Sequence, residues 1–285
     1  MNKKIIRIIL ISLLSAVFVV SAGMVIFYQI QYRKTLADTE EAMRIAGLIT
    51  DTQTRQPEVV PSTQAPVPTA EEPEPTTEEP EEPLPPEASN LAGIDLEALR
   101  EYNPDIVGWI TIPGTVVSYP LVQGADNDYY LTHNWKRESN NSGSLFMSYD
   151  ASRDLTDFQT LVYGHNMQNE TMFGTLKYYV KDSSYWRMHP SIYVVLDDVI
   201  YRYDIFAILD TNIYDFTYRL DIVEKHLEEE FFRNSKDTSV FDTGVTPEVG
   251  NRVLSLSTCT TSNLRQTFRW VIQGVLVQEY RRSKV

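Results

Sequence analysis

An unbroken apolar run near the start of the chain is the first pattern to stand out. Twenty uncharged, mainly apolar residues extend from 8 to 27, enough for a helix to cross a hydrocarbon core of about 30 Å. Basic residues lie on both sides, with a slight excess before the run, which favours a cytoplasmic N-terminus. A cleavable signal peptide is the alternative, with Val20-Ser21-Ala22 as its site, but the apolar run continues well past it. We therefore predict that residues 1–34 are a cytoplasmic tip and an uncleaved transmembrane anchor.

The next segment is polar and changes character at about residue 50. Residues 32–49 contain helix formers and a partial apolar stripe, so we expect the helix to continue out of the membrane. Residues 51–89 hold ten of the fifteen prolines, ten acidic residues, one arginine and no aromatic residue. This composition cannot bury enough apolar surface to offset chain entropy, and its prolines favour extended conformations. Residues 35–89 are predicted to be a juxtamembrane helix and a disordered stalk.

The Pro/Glu-rich segment also explains most of the net charge. Of the formal charge of −14, ten acidic residues and Arg55 contribute −9, which leaves −5 for the rest of the chain. That remainder is ordinary, so we expect no nucleic-acid partner. Cation or wall binding by the acidic run is an alternative to simple solvation.

Residues 90–285 show many short β-patterns separated by turn signals and are numerous enough for one domain with a substantial core. The predicted strands are 107–112, 116–123, 144–147, 160–164, 191–196, 200–209, 253–258 and 267–277. A short helix at 96–102, capped by Asp95, and a longer one at 218–233, on the flank of the sheet, are also predicted. Many strands with few long helices predict a mainly β fold, either a closed β-barrel or a sandwich.

The last predicted hairpin carries candidate chemistry. Cys259, the only cysteine in the chain, directly follows the strand at 253–258, and Arg269 lies two residues into the return strand. A lone cysteine is usually an inert core residue. Here it follows the apolar run and is surrounded by hydroxyl residues, which favours a nucleophile. Arg265, in the loop at 260–266, is the alternative to Arg269.

A cysteine nucleophile needs a base, because at a reference pKa near 8.5 only a few per cent of a thiol is ionised at neutral pH. His165 ends a short apolar strand, in the same kind of position as Cys259. His133 follows residues 129–132 in a predicted short helix, His189 precedes a proline, and His226 lies on the polar face of a helix. We interpret these three as structural or surface residues, with His133 the only serious rival to His165.

Two motifs and their order carry a family resemblance. They are Leu256-Ser257-Thr258-Cys259, followed ten positions later by Arg269, and Tyr163-Gly164-His165-Asn166-Met167. Together they resemble the sortases, cysteine transpeptidases of Gram-positive cell surfaces. Further segments resemble class B of that family: Gly108-Trp109-Ile110, Ile112-Pro113-Gly114-Thr115, Tyr119-Pro120-Leu121-Val122-Gln123-Gly124-Ala125-Asp126-Asn127, Ser142-Gly143-Ser144-Leu145-Phe146-Met147 and Met172-Phe173-Gly174-Thr175-Leu176. The resemblance runs from about residue 96 to the C-terminus.

The resemblance implies a sortase-like closed β-barrel with an N-terminal helix and a long helix inserted before the cysteine strand. It implies that Cys259 attacks a peptide carbonyl, that His165 transfers protons, and that Arg269 binds the substrate carbonyl or oxyanion. It implies no cofactor and no metal. The positions that match substrate contacts in class B are Asn127, Leu131, Tyr163, Ser257 and Thr258. Each also has a structural alternative in core packing, helix capping or cross-strand pairing.

The implied function is that of a membrane-anchored transpeptidase with an extracellular catalytic domain. Such an enzyme cleaves a C-terminal sorting signal of a surface protein and joins the acyl group to an amine of peptidoglycan or its precursor. The residues alone argue only for an extracytoplasmic cysteine acyl-transfer enzyme on a stalk. The alternatives are a plain cysteine endopeptidase, a pilin-polymerising sortase and a non-enzymatic wall-binding domain.

Overall fold

Eight strands form a closed barrel in the computed structural model, which describes residues 3–49, 83–259 and 267–282. The strands are β1 (Ile106–Thr111), β2 (Ser118–Val122), β3 (Leu145–Met147), β4 (Gln159–Tyr163), β5 (Ser191–Val195), β6 (Val199–Asn212), β7 (Val253–Cys259) and β8 (Phe268–Arg281). Their order around the barrel is β1-β2-β3-β4-β7-β8-β6-β5, and β5 closes the sheet by pairing with β1. The pairs β2–β3 and β4–β7 are parallel, and the other pairs are antiparallel. The predicted closed β-barrel is therefore confirmed.

The helices lie outside the barrel. They are α1 (Lys3–Ile45), α2 (Leu96–Arg100), α3 (Leu176–Lys181), α4 (Ser183–Met188) and α5 (Lys225–Thr238), with 3₁₀ helices at Pro86–Gly93, Tyr129–Leu131 and Phe216–Tyr218. The predicted cap of α2 is present, since the Asp95 carboxylate accepts a hydrogen bond of 2.9 Å from Ala98 N.

The strands are apolar on both faces because both faces are covered. Ile110, Val162 and Leu256 belong to the interior of the barrel and are fully buried. On the outer surface, Trp109 and Tyr193 belong to a second cluster shared with α1, α2 and the first 3₁₀ helix. A third cluster joins β6, β7 and β8 to α5. Burial on both faces accounts for the nearly continuous apolar runs in the sequence.

Strand β6 ends beyond its predicted limit, at Asn212, and β8 ends at Arg281. The two strands pair along their whole length, from Val199↔Arg281 to Asn212↔Phe268. The paired ends of both strands contain polar residues, so hydrophobic periodicity does not show where β6 and β8 end.

The prediction of a helix from residue 218 was wrong at its beginning. Helix α5 starts at Lys225, whereas Tyr218 ends a 3₁₀ helix whose first residue follows the capping Asp215. Val223, which lies within the predicted helix, precedes α5 and is 84% exposed. The buried face is instead formed by Phe231 and Phe232, because the helix begins later and its contact surface shifts towards its C-terminal end.

Helix α1 is continuous from the apolar run to the barrel. One segment of it is long enough and apolar enough to cross a membrane, and the helix continues beyond that run to Ile45. The last turns lie against the domain, where Thr35, Ala42 and Ala46 are buried. Asp95 N donates a hydrogen bond of 3.1 Å to Ala46 O, which joins the end of α1 to the start of α2.

The two ends of the Pro/Glu-rich segment lie on the same body. Leu48 and Leu84 both pack against the apolar cluster beneath α1 and the first 3₁₀ helix. Residues near both ends of the segment are therefore held on the same surface of the domain. Helix α1 rises about 12 Å from Phe27, at the end of the apolar run, to Thr35. The boundary at residue 90 stays a prediction, and the packing of α1 favours a domain that includes residues from about 31 onwards.

This packing can be measured with three chains that begin at residues 31, 50 and 90. We expect the free energy of unfolding to fall by about 2–4 kcal/mol between the first and second chains, because removal of the helix exposes the surface under Ala42 and Ala46. The third chain also loses Ala88 and should be less stable still. Urea unfolding followed by circular dichroism gives the three values. Equal values for all three chains would place the domain boundary at residue 90.

Candidate active site

The parallel pair β4–β7 brings two of the predicted site residues to one edge of the barrel. Tyr163 and Ser257 are register partners. His165 follows the end of β4 by two residues, and Cys259, two residues after Ser257, is the last residue of β7. Since parallel strands run in the same direction, the C-terminal ends of β4 and β7, and the two residues with them, lie at the same end of the barrel. The backbone therefore places the predicted base beside the predicted nucleophile.

Strand β8 brings the predicted arginine to the same edge. Arg269 is the Cα partner of Cys259 on β7 and of Thr211 on β6. Paired Cα atoms in antiparallel strands lie about 4.5–5.5 Å apart. The Arg269 side chain is half-buried, and its Nη1 donates a hydrogen bond of 2.8 Å to Phe268 O. The alternative, Arg265, lies outside the described residues, as does the rest of the loop at 260–266.

A single hydrogen bond defines the protonation pattern of the His165 ring. Nε2 lies 2.7 Å from the carbonyl oxygen of Leu131. A carbonyl oxygen can only accept, so Nε2 carries a proton and donates, and Nδ1 of the neutral ring is the atom left to accept one. The main chain is held as well, because Phe173 N donates to His165 O at 3.0 Å. His165 therefore has one defined tautomer and a fixed backbone.

The other histidines have partners of their own. His133 lies half-buried, stacked on Tyr129 with ring centroids 4.0 Å apart, and its Nδ1 lies 2.8 Å from Tyr129 O. His189 contacts Pro113 O through Nδ1 at 2.9 Å, and His226 forms an exposed ion pair with Glu224. Within the described ranges, none of these three follows a strand that pairs with β7.

Asn127 and Tyr163 meet at Ser148, next to the end of β4. Asn127 Nδ2 donates to Ser148 Oγ at 3.3 Å, and Asn127 Oδ1 accepts from Tyr149 N at 2.9 Å. Burial raises the pKa of Tyr163, and the Ser148 hydroxyl offsets only part of that rise. Its ring packs against Phe146 with centroids 5.4 Å apart. Both predicted substrate positions are thus held by neighbours on adjoining strands and loops.

Leu131 lies at the end of a 3₁₀ helix, half-buried against the apolar cluster under α1. Its main-chain carbonyl is the acceptor for His165, so its backbone as well as its side chain belongs to the site. The sequence patterns gave no signal for this contact, since the two residues are far apart in the chain.

Ser257 and Thr258 precede the cysteine on β7 and are both buried. Ser257 Oγ lies 2.7 Å from the hydroxyl of Tyr218, a residue that the sequence had placed in a helix and not in the site. Thr258 Oγ1 is buried without a hydrogen-bond partner among the described residues. The strand therefore carries one satisfied and one unsatisfied hydroxyl immediately before Cys259.

A model of the sortase domain family matches residues 110–277, which include β4, β7 and most of β8. The chain belongs to the sortase family. Sortase B of Listeria monocytogenes is 37% identical over 184 residues, 64% of this chain and 74% of the relative. Sortase B of Staphylococcus aureus is 32% identical over 182 residues, with the same coverage.

Solved structures agree with this assignment. A Staphylococcus aureus sortase B–substrate complex matches with a TM-score of 0.60 and 31% identity, over 64% of this chain and 84% of that one. Sortase B of B. anthracis in complex with AAEK1 matches with a TM-score of 0.64 and 25% identity, over 87% of this chain and 99% of that one. The chain is a class B sortase and a cysteine transpeptidase of the sortase type.

The sortase motif Tyr163-Gly164-His165 has a steric reason for its glycine. A Cβ atom at Gly164 would lie 2.4 Å from Leu145 Cδ2 and 2.7 Å from Phe173 Cδ2. Both neighbours are fully buried and have no room to withdraw. Because residue 164 is a glycine, the side chains of Leu145 and Phe173 can pack directly against the backbone that links β4 to His165.

We expect Gly164→Ala to lower the free energy of unfolding by about 1–3 kcal/mol, because the added methyl group overpacks a closed core. Gly93→Ala is the matched control, since a Cβ there meets nothing within 4 Å. Denaturant unfolding of both variants measures the difference. If Gly164→Ala were as stable as the control, the steric explanation of the motif would be withdrawn.

Proposed function

We propose that Cys259 is the nucleophile and His165 the proton-transfer residue of a transpeptidation reaction, with Arg269 as the stabiliser of negative charge. The observation that carries this proposal is the register of β4, β7 and β8, which puts the three residues on adjacent strands at one edge. In support, the hydrogen bond from Nε2 to Leu131 O gives His165 one tautomer.

The reaction needs the cysteine as a thiolate and the histidine as an imidazolium. With ordinary pKa values of about 8.5 and 6.5, a thiol and an imidazole adopt this pair of states together in about one molecule in a hundred at the intermediate pH. The thiolate attacks the peptide carbonyl, and the tetrahedral intermediate collapses as the imidazolium protonates the leaving amine. Nδ1 makes these transfers while Nε2 stays bonded to Leu131.

The second half of the reaction reverses the proton transfer. The thioester on Cys259 waits for an acceptor amine, which the neutral His165 ring deprotonates through Nδ1 as it attacks. The new peptide bond forms as the thiolate leaves. Transfer to an amine rather than to water is what makes the reaction a transpeptidation.

Arg269 suits the oxyanion because a guanidinium stays charged and presents donors in a rigid plane. Donors fixed before the reaction stabilise the charge that develops on the carbonyl oxygen. The cross-strand position of Arg269 opposite Cys259 supports this role.

The proposed substrate is the C-terminal sorting signal of a surface protein, cleaved between threonine and the next residue. The acceptor is an amine of peptidoglycan or its precursor. The similarity to a Staphylococcus aureus sortase B–substrate complex supports this substrate class. The proposed contacts are Asn127, Leu131, Tyr163, Ser257 and Thr258.

The proposed location is the cell membrane, with a single span, a cytoplasmic N-terminus and an extracellular catalytic domain. The apolar segment of α1 supports the span. The basic residues Lys3, Lys4 and Arg7, which precede it, support the orientation.

Cys259→Ala and His165→Ala are each expected to abolish acyl-enzyme formation while the unfolding midpoint changes little. A residue kept for packing would lose stability before activity. Mass spectrometry of the full-length enzyme with a panel of sorting-signal peptides detects the thioester, and His133→Ala is the control. Full activity in either variant would contradict the proposed mechanism. Loss of activity only in His133→Ala would assign the role of the base to His133.

The same assay with and without an acceptor amine separates the alternatives. A transpeptidase releases amine-linked product only when the acceptor is present. Rapid hydrolysis that ignores the acceptor would indicate an endopeptidase. A wall-binding domain without activity would form no thioester with any peptide.

Arg269→Lys is expected to slow acylation by roughly a hundredfold or more, the usual loss for one oxyanion donor, because lysine keeps the charge but lacks the planar fork. Substrate affinity should change less than turnover. Arg265→Lys is the matched variant and should be nearly silent. Single-turnover kinetics, with acylation followed separately from resolution, measures both. Normal acylation in Arg269→Lys would remove this residue from the site.

A further inference from the structure

The loop that follows Leu131 is shaped by two buried amide side chains. Asn134 and Asn140 are 2% and 3% exposed. Asn134 Oδ1 accepts from the main-chain N–H groups of Lys136 and Glu138, and Asn140 Oδ1 accepts from that of Ser142. The two NH₂ groups also need acceptors, because a buried donor without a partner is unfavourable. Within the loop, Glu138 Oε2 accepts from Asn134 Nδ2 at 3.2 Å.

Both NH₂ groups donate to one carboxylate oxygen on α1. Asp38 Oδ2 lies 3.0 Å from Asn134 Nδ2 and 2.7 Å from Asn140 Nδ2. The main-chain oxygen of Asp38 also accepts from Trp135 Nε1 at 2.9 Å. Three donors of the loop at 132–144 therefore converge on a single residue of the membrane-proximal helix.

The returning half of this loop is bonded to the residues on either side of Leu131. Asn140 N donates to Thr132 O at 2.8 Å, and Ser144 N donates to Tyr130 O at 2.9 Å. The turn between them needs a glycine, since Gly143 has φ of 59° and a Cβ there would lie 2.4 Å from Tyr130 O. The loop thus fixes the main chain at positions 130 and 132 and with it the carbonyl of Leu131.

We propose that Asp38 is a positioning residue for His165. It holds the loop at 132–144, the loop holds the Leu131 carbonyl, and that carbonyl fixes the tautomer and orientation of the His165 ring. This inference rests on the proposed role of His165 in proton transfer. It makes the C-terminal, domain-facing end of α1 a part of the active-site support and not only a tether.

Other contacts also join α1 to the loop. Thr35 Oγ1 and Ser142 Oγ lie 2.6 Å apart in a buried position, but a bond between two neutral hydroxyls is weaker than a charge-assisted one. The ion pair of Glu41 and Lys136 is 2.7 Å long, but the Glu41 side chain is 44% exposed, and exposed ion pairs are weak. Lys34 Nζ donates to Ser139 O from an exposed position. The two bonds to the Asp38 carboxylate are charge-assisted and have buried donors, which makes them stronger and more directional.

The test uses the full-length enzyme in detergent with Asp38→Ala, Asp38→Asn and the control Glu40→Gln. Glu40 lies on the same helix, and its contact is with Arg44 of that helix, so the control removes the same charge without touching the loop. Nitrogen-15 spectra of labelled histidine report the His165 tautomer, assigned with His165→Gln. Single-turnover acylation reports the chemistry, and thermal unfolding reports the fold.

We expect Asp38→Ala to shift His165 from the Nε2–H tautomer to a mixture and to slow acylation by about tenfold to a hundredfold, the scale of losses from small misplacements. Asp38→Asn keeps an acceptor oxygen without its charge, so its shift and its rate loss should be smaller. Glu40→Gln should match the wild type in all three measurements.

An unchanged His165 tautomer in Asp38→Ala would overturn the proposal, whether or not the protein became less stable or less active. If Asp38→Ala fails to fold, Asp38→Asn decides: a partial tautomer shift supports the proposal, and a wild-type spectrum overturns it. A different result would contradict the proposed function, namely thioester formation by His165→Ala. A tautomer shift in Asp38→Ala would then still support positioning of the ring by α1.

Discussion

The parallel pairing of β4 with β7 is the constraint on which the site depends. Two parallel strands cannot be joined by a tight turn, so the chain between them must travel around the barrel. That connection includes β5, β6 and α5, and it separates the two predicted residues, at positions 165 and 259, in sequence. The register Tyr163↔Ser257 is what makes them neighbours. A slip of one residue would turn each side chain of β7 to the opposite face.

Closure of the barrel makes this edge rigid. Every strand has a paired neighbour on both sides, and most are buried on both faces. Such an edge can hold side chains in fixed relative positions, which acyl transfer requires because the nucleophile, the base and the charge stabiliser act on one carbonyl. The helices complete this arrangement from outside, with α5 covering β6, β7 and β8 and the end of α1 covering β2 and the loop after Leu131.

A buried polar network supports the backbone next to His165. Asn103 Nδ2 donates to the hydroxyl of Tyr130, which donates in turn to Asp105 Oδ2 at 2.7 Å. Burial and the carboxylate of Asp105 raise the pKa of Tyr130 to about 12, so the phenol remains a donor at neutral pH. Tyr130 immediately precedes Leu131, and the network therefore fixes one side of the carbonyl that binds the histidine ring. The contacts from Asp38 reach the other side through the loop.

Elements with strong periodic or compositional signals could be predicted from the amino-acid sequence alone. The apolar run, the short strands and the capped helix at Asp95 were predictable, because burial and capping leave local patterns in the chain. The end-of-strand positions of Cys259, His165 and Arg269 could also be recognised. The family motifs then implied that these residues act together.

The tertiary structure decided which distant residues meet. Leu131 with His165, Tyr218 with Ser257, and Asp38 with Asn134 and Asn140 are contacts between segments that share no local pattern. The late start of α5 and the docking of α1 were decided in the same way, by apolar surface that exists only after the barrel has closed. Local patterns report which face of an element is buried, but the identity of the surface that buries it depends on the whole fold.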